Sequence, residues 1–153
     1  MKVFRIVPSP RAKDLSGEGA RLYGGRWNSK GVPMIYSATT ASLAVLETLV
    51  HMSLDVFPEN LVLVTLNIPK EFVQNLDLDR LPTNWATYPA SSDVHAIGDT
   101  WAREEASLGL LVPSAILPQE NNLIINPRHP KSGNLKIVEI IPYQVDRRLL
   151  KKQ

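Results

Sequence analysis

Four polar side chains interrupt otherwise apolar or glycine-rich segments, and their types are the ones most suited to chemistry. Arg26 follows two glycines, Tyr36 lies inside a short apolar run, and Glu47 stands among leucines and valines. Ser114 comes much later, in a third apolar segment. A guanidinium binds anions, a phenol ring stacks on planar groups, and a carboxylate kept in apolar surroundings is costly unless it is paired or used.

The segment around Glu47 has the spacing of an amphipathic helix, which we predict over 41–52 with Thr39 or Thr40 as the N-cap. On such a helix the carboxylate lies beside the face that should be buried; its neighbours are Leu43, Ala44, Val50 and His51. His51, one turn later, is placed to orient Glu47 by a hydrogen bond, and a histidine at the rim of the helix is an equally good interpretation.

The preceding segment, Gly17 to Gly31, contains many glycines and no apolar periodicity, so it is predicted to be a loop rather than a helix or a strand. It carries Arg21 and Arg26, and Arg5 in the first strand is a further candidate for an anion contact. For each of these arginines the alternative is an ordinary solvated side chain.

The remaining elements that must position these residues alternate between strands and helices. Strands are predicted over 1–7, 34–38, 61–68, 111–117, 123–126 and 136–141, with 61–68 in the centre of the sheet. A second helix is predicted over 93–110, with Asp99 as a possible N-cap and Gly109 as its stop. Residues 69–79 are predicted as a loop or short helix and 81–90 as irregular. Pro113 indicates an edge or a bulge near Ser114. The pattern predicts an α+β domain with a mixed sheet and helices packed on it.

Length and composition set the remaining limits. A chain of 153 residues with 44% apolar residues is predicted to form one domain, 1–153, and its lack of cysteine excludes disulfides and thiolate metal sites. No signal segment or long uncharged apolar run is present, so a cytoplasmic location is expected, with no membrane contact. Residues 1–31 and 128–153 each hold seven Lys/Arg against two Asp/Glu. The basic tail, 147–153, is expected to be mobile at its end.

Several functional classes are excluded by the motifs. The third glycine of a dinucleotide-binding pattern that starts at Gly17 is replaced by Leu22, and no phosphate-binding loop is present. His51, His95 and His129 lie too far apart in sequence for a helical metal motif, so no metal site is predicted. The chain shows neither a basic stripe with interleaved aromatics nor a known reading motif, so direct nucleic-acid binding is not expected.

Motifs along most of the chain resemble one family. The segments GARLYGGRWNSKG, IYSAT, LAVLETLVH and LLVPSAILPQENNLIINPRHP together resemble the RES domain, a family of bacterial toxins of toxin–antitoxin pairs that destroy NAD. The resemblance extends from Phe4 to Pro130 and keeps the order of the motifs. It implies a compact β-core similar to that of ADP-ribosyltransferases, with NAD in a cleft between sheet faces.

The resemblance also implies the site residues. The motifs GGRWN, IYSA, LAVLE and VPSA place the catalytic set of the family on Arg26, Tyr36, Glu47 and Ser114. Arg26 is expected to bind the pyrophosphate, Tyr36 and Ser114 to contact the nicotinamide or ribose, and Glu47 to act on the ribose. Arg21 is an alternative phosphate contact, and Asn126 is expected to hold a loop on the substrate side. NAD is the implied substrate, without a resident cofactor, and inorganic phosphate is a possible co-substrate.

Three functions follow as hypotheses. The first is cleavage of the nicotinamide–ribose bond with water or phosphate as the acceptor, and the second is transfer of ADP-ribose to a protein. The third is a binding module without catalysis. The partner implied by the resemblance is an antitoxin with a helix-turn-helix DNA-binding part of the Xre type, so that any contact with DNA belongs to the partner.

Overall fold

One mixed β-sheet runs through the chain. The computed structural model describes residues 1–52 and 58–150, and these form seven strands. The strands are β1 (Lys2–Pro8), β2 (Ile35–Ala38), β3 (Leu61–Asn67), β4 (Val73–Asn75), β5 (Gly109–Pro113), β6 (Asn121–Ile125) and β7 (Lys136–Pro142). Their order in the sheet is β4-β5-β6-β2-β1-β3-β7. Only β4 and β5 pair in parallel, and the other five neighbouring pairs are antiparallel.

Three α-helices accompany the sheet in the described part of the chain: α1 (Glu18–Tyr23), α2 (Ala41–His51) and α3 (Ser92–Arg103). Helix α2 begins at the predicted cap, because the Thr40 hydroxyl accepts a hydrogen bond from the Leu43 amide at 3.1 Å. No helix in 1–52 or 58–150 is long and apolar enough to cross a membrane.

Helices α2 and α3 pack on the same face of the sheet. Leu43 and Ala44 of α2 are buried with Ile6 of β1 and Ala38 of β2. Val94 and Trp101 of α3 are buried in a second cluster with residues of β5 and β6, namely Leu110, Val112 and Ile124. Side chains alternate between the two faces of a strand, so these buried residues of β2 and β6 lie on the face that the helices cover. Residue Ala38 of β2 is buried with α2 and Ile124 of β6 with α3, so the boundary between the two helices lies over β2 and β6.

The opposite face carries the largest apolar cluster. It includes Val3, Ile35, Val64, Leu66, Leu123 and Ile125 from four strands, and it is covered by Leu108, Leu135 and the segment around Ala12. Arg5 also points to this side, but it is neither an anion contact nor a solvated side chain. Its Nη2 donates to the Asp14 carbonyl at 2.6 Å and to the Ala12 carbonyl at 3.3 Å, so it holds the segment that follows β1. Burial lowers the pKa of Arg5 from its ordinary value.

Most predicted strands are confirmed within one or two residues, and so is the helix that carries Glu47. The predicted strand 61–68 corresponds to β3, which is paired on both sides, by β1 and β7. Residues 81–90 contain neither strand nor helix, as predicted. Of the predicted tail, 147–150 form a 3₁₀ turn, and 151–153 lie outside the described residues.

Two predictions about helices are wrong. The segment 17–31 is not only a loop, because it contains the six-residue helix α1, which is too short to show periodicity. The second helix, predicted over 93–110, starts within one residue of the prediction, but its N-cap is Ser91 rather than Asp99, and it ends at Arg103, well before Gly109. Asp99 lies inside α3, where its carboxylate accepts a hydrogen bond from the Ser29 amide at 2.9 Å. Its role is a tertiary contact instead of a cap.

One further correction concerns strands. Within 69–79 the prediction missed β4, whose three residues gain their hydrogen bonds from β5 and have no local strand pattern.

The prediction of an edge at Pro113 is confirmed locally. Although β5 lies between β4 and β6, β4 pairs only with 109–111, so Pro113 has a strand partner on the β6 side alone, and no strand needs its missing N–H on the other side. The alternative, a bulge, is not found, because β5 pairs with β6 without a register shift.

Gly98 sets how closely α3 approaches the loop that carries Arg26. A Cβ atom at this position would lie 1.8 Å from the Trp27 carbonyl oxygen. The backbone would have to move to relieve this clash. We expect Gly98→Ala to lower the free energy of unfolding by about 1–3 kcal/mol or more, measured by urea denaturation. Gly133→Ala is the matched control, because nothing lies within 4 Å of its Cβ position. Equal stability of the two variants would contradict this account.

Glu105 ends the turn after α3 in a left-handed conformation, with φ 49°, which favours glycine. We expect Glu105→Gly to raise the free energy of unfolding by up to about 1 kcal/mol, since the steric cost of the side chain is removed. Its neighbour Glu104 is helical, with φ −77°, so Glu104→Gly should lower stability by about 0.5–1 kcal/mol. Thermal denaturation of both variants tests the opposite signs.

Candidate functional site

The carboxylate of Glu47 is held from two other elements of the fold. Its Oε1 accepts a hydrogen bond from the Ser114 hydroxyl at 2.8 Å and from Nδ2 of Asn122 at 2.5 Å. The side chain is 23% exposed, so it is half-buried, as the helical pattern predicted. Two donors on one oxygen offset much of the cost of placing this charge beside an apolar face.

Ser114 follows β5 directly and is completely buried. Its hydroxyl donates to Glu47 and accepts hydrogen bonds from the amides of Ile116 and Leu117, at 3.2 and 3.1 Å. All of its hydrogen-bonding capacity is therefore used within the protein. In this arrangement Ser114 orients the glutamate, and its proton is not available to a ligand without a rearrangement.

The second oxygen of Glu47, Oε2, accepts no side-chain hydrogen bond from the described residues. The His51 ring lies beside it, with Nε2 at 3.9 Å, which is too long for a hydrogen bond. The histidine side chain is 69% exposed, so the interpretation as a residue at the rim of the helix is the one that fits. Oε2 is therefore the oxygen of Glu47 that keeps its acceptor capacity for a further donor.

Tyr36 of β2 uses its hydroxyl to organise the loop with Arg26. The hydroxyl donates to Oδ1 of Asn28 at 2.7 Å and accepts from the Trp27 amide at 2.9 Å. Desolvation raises the pKa of Tyr36 well above its ordinary value; the charge of Asp99 raises it further, and the charge of Arg26 opposes this. The hydroxyl is thus a neutral structural group, and the ring is what remains for contact with a ligand.

Both glycines of GGRWN are explained by this arrangement. Gly24 has φ 74°, a conformation that side chains disfavour. A Cβ atom at Gly25 would lie 2.6 Å from the Tyr36 hydroxyl oxygen and 2.9 Å from Oδ1 of Asn28. The loop therefore closes around the tyrosine only because these positions carry no side chain.

Arg26 reaches from this loop to the irregular segment 81–90. Its Nη1 donates to the carbonyls of Trp85 and Thr87, at 2.8 and 2.9 Å, and the ring of Trp85 stacks on Trp27 with centroids 6.5 Å apart. These hydrogen bonds of Arg26 occupy only Nη1. Nη2 and Nε keep three N–H donors for an anion.

The residues that hold the Glu47 carboxylate and the loop with Arg26 lie on the same face of the sheet. In the pairing of β2 with β6, Tyr36 is opposite Ile124, and Ala38 is opposite Asn122. Side chains of directly paired residues share a face, so Tyr36 and Asn122 lie on one side, two residues apart along the strands. Two residues correspond to about 7 Å. The Glu47 contacts and the Arg26–Tyr36 loop are therefore neighbouring parts of one surface.

Two of the predicted contact residues are engaged elsewhere. Arg21 forms a two-point ion pair with Glu18 within α1, at 2.7 and 2.6 Å. Asn126 is 2% exposed, and its amide donates to the Ala102 carbonyl and accepts from the Arg128 amide. It holds a loop, as expected. The ring of His129 accepts a hydrogen bond at Nδ1 from the Lys131 amide in the following turn.

A cavity of about 310 Å³ lies beside α3 rather than at Glu47. Its lining includes Val32, Asp99, Arg103, Asn126 and Arg128. Neither Glu47 nor Ser114 contributes to it. The acidic and basic side chains in this lining balance one another, so the cavity has no clear preference for an anion.

Asn122 is the member of the site that sequence reasoning missed. The signal for it was present: Asn122 and Ile124 share a strand face, so an amide stands where an apolar residue is expected. Nothing local shows that this amide meets a helix 75 residues earlier in the chain.

Comparison with known proteins identifies the family. The family model of the RES domain matches residues 2–146 of the sequence. The chain therefore belongs to the RES domain family. This RES-domain chain is 42% identical over 153 residues to the protein named Toxin Res from Photorhabdus laumondii, covering 99% of this chain and 98% of the relative. It is 39% identical over 155 residues to the Prs ADP-ribosylating toxin of a Sphingobium species, covering 97% and 96%.

A solved structure supports the fold of the RES-domain chain. The structure of the Mycobacterium tuberculosis MbcT–MbcA toxin–antitoxin complex contains a chain that matches with a TM-score of 0.74 at 23% identity. The match covers 93% of this chain and 83% of the other. The match confirms the predicted α+β fold, a mixed sheet with helices packed on it.

Replacing Tyr36 by phenylalanine tests the structural role of its hydroxyl. The substitution leaves the Trp27 amide and Oδ1 of Asn28 without their partner, so we expect the free energy of unfolding to fall by about 1–3 kcal/mol in urea denaturation. Tyr23→Phe is the control, since Tyr23 is 73% exposed, and it should change stability by less than about 0.5 kcal/mol. A Tyr36→Phe variant as stable as the control would show that the hydroxyl is not needed by the loop.

Proposed function

We propose that this chain is the toxin of a toxin–antitoxin pair and that it depletes NAD by breaking the bond between nicotinamide and ribose. The observation that carries the proposal is the fixed carboxylate of Glu47, with Oε2 open, on the same sheet face as the Arg26–Tyr36 loop. Membership of the RES family and the names of the relatives point in the same direction.

The chemistry requires a negative charge near the ribose. When the bond from C1′ to the nicotinamide nitrogen breaks, its electron pair stays with nicotinamide, and positive charge develops on the ribosyl carbon and ring oxygen. A carboxylate beside this carbon stabilises the transition state, as in glycoside hydrolysis. Oε2 of Glu47 is the oxygen available for this contact. Where water is the acceptor, the same oxygen can take up the proton that water releases.

The other groups are suited to the rest of the dinucleotide. Nη2 and Nε of Arg26 can form a two-point contact with a phosphate of NAD, while Nη1 remains bonded to the 85–87 turn. The ring of Tyr36 can stack on the nicotinamide, and its hydroxyl stays with Asn28. Tyr36 and Asn122, the partner of Glu47, are two residues apart along the strands, about 7 Å, so a ligand stacked on the tyrosine ring can extend to the carboxylate.

The final acceptor is a separate question. With water as the acceptor the product is ADP-ribose. With inorganic phosphate as the acceptor the product is ADP-ribose that carries a phosphate on the ribosyl carbon released from nicotinamide. A protein acceptor is the second candidate function, and it is favoured by the 39% identity to a relative named as an ADP-ribosylating toxin. The first step is the same in all three cases, so the roles of Glu47 and Arg26 do not depend on the answer.

The partner in this proposal is an antitoxin that blocks the site. The similar fold of a toxin solved with its antitoxin supports such an assembly. We assign DNA binding, through a helix-turn-helix of the Xre type, to the antitoxin. The described residues hold no element of that kind among their three α-helices.

Release of nicotinamide from NAD by the purified chain is the decisive measurement. We expect turnover in the wild type and a loss of about 100- to 1,000-fold in Glu47→Gln, because the substitution removes the charge and keeps the shape. Arg26→Ala should raise the KM for NAD and lower turnover. Glu139→Gln and Arg103→Ala are matched controls at exposed positions, and their activity should equal that of the wild type.

The products then separate the candidates. ADP-ribose without phosphate indicates hydrolysis, a phosphate-dependent rate indicates phosphorolysis, and label from NAD that stays on a protein indicates transfer. Folded protein without antitoxin that releases no nicotinamide under any of these conditions would overturn the proposal. Activity of Glu47→Gln equal to that of Glu139→Gln would remove Glu47 from the mechanism.

A further inference from the structure

We infer that Asn122 is a positioning residue that clamps Oε1 of Glu47 so that Oε2 faces the reacting ribose. The inference rests on the proposed function and adds to it a residue with a distinct task. Asn122 does not react in this account. It acts through the glutamate.

The position of Asn122 makes it a rigid support. It lies in β6, which is paired with β2 on one side and with β5 on the other. Its paired neighbours are Ala38 and Val112, both buried and both without polar side-chain atoms. The amide is therefore the hydrogen-bonding group that this part of the sheet offers to the helix above it, and its backbone is fixed by two neighbouring strands.

A glutamate needs such a support because its last torsion angle is loosely restrained. Rotation of the carboxylate plane has a broad energy profile, so the side chain alone does not set the direction of its oxygens. Ser114 and Asn122 approach the same oxygen from β5 and β6, at 2.8 and 2.5 Å. Two directional bonds to one atom define the plane, and they leave the lone pairs of Oε2 for the substrate.

The neutral character of the amide also suits the reaction. A lysine or arginine at this position would hold the carboxylate equally well but would compensate the negative charge that the ribosyl cation requires. An asparagine donates a hydrogen bond without a net charge. Asn122 thus fixes the geometry of Glu47 and leaves its charge available for the transition state.

The test compares Asn122→Ala and Asn122→Asp with Asn121→Ala. Asn121 is the matched control: it is adjacent, exposed, and on the opposite face of β6. We expect Asn122→Ala to lower kcat about 10- to 100-fold with KM for NAD changed less than about twofold. Asn122→Asp keeps the shape, removes the donor and adds a like charge, so its kcat should fall further. Asn121→Ala should match the wild type.

A binding measurement separates positioning from contact with substrate. In a Glu47→Gln background NAD should be consumed about 100- to 1,000-fold more slowly, so its Kd can be determined by calorimetry before much of it is lost. Addition of Asn122→Ala should leave this Kd within about twofold, because a residue that acts through Glu47 makes no contact with NAD. Melting temperatures of all variants establish that they are folded. If Asn122→Ala does not fold, Asn122→Asp tests whether Asn122 positions Glu47.

The outcomes distinguish the inference from the proposed function. One outcome is a wild type that consumes NAD while a folded Asn122→Ala or Asn122→Asp variant has an unchanged kcat. This result would overturn the positioning role of Asn122 and leave the proposed function intact. A Kd raised tenfold or more would show that Asn122 contacts the substrate directly and would also overturn it. A wild type that releases no nicotinamide would overturn both.

Discussion

The half-buried charge of Glu47 constrains much of this fold. Its helix must pack on the sheet through Leu43 and Ala44, and this brings the carboxylate toward a region where water cannot fully solvate it. The two donors that compensate lie 67 and 75 residues later in the sequence. Helix α2, the end of β5 and the start of β6 must therefore dock in one arrangement. A shift of β6 by one residue would place Leu123 under the helix and Asn122 on the opposite face.

The loop with Arg26 depends on a second set of long-range contacts. Tyr36 binds its backbone from within, Gly98 allows α3 to approach it from one side, and Arg26 ties it to the 85–87 turn. Each contact is polar or steric rather than a simple burial of apolar area. The loop can therefore keep one conformation at the surface of the sheet although it has little regular structure of its own.

The sequence predicts the parts of this structure whose cause is local. Apolar runs identify most strands, and Thr40 marks the start of α2. β4 has no such signal, since its three residues are a strand only through β5, and Asp99 resembles a cap although its partner is the Ser29 amide 70 residues away. Residue type and surroundings singled out the four principal site residues, the family resemblance supplied their roles as one set, and the helical pattern alone indicated the half-burial of Glu47. The bond between Ser114 and Glu47 and the part played by Asn122 depend on strand register, which no local spacing encodes.

The two parts of the site are held by different elements, and the proposed chemistry gives a reason for the difference. In the proposed reaction the carboxylate acts on the carbon where charge develops, and misplacement of a charge at that point directly weakens stabilisation of the transition state. The carboxylate is anchored to a paired strand through Asn122 and to a fully bonded serine, which suits that task. In the same proposal the guanidinium binds a phosphate whose charge does not change during the reaction, so its contribution is to binding and orientation. A loop whose arginine is held by two backbone carbonyls is sufficient for that purpose.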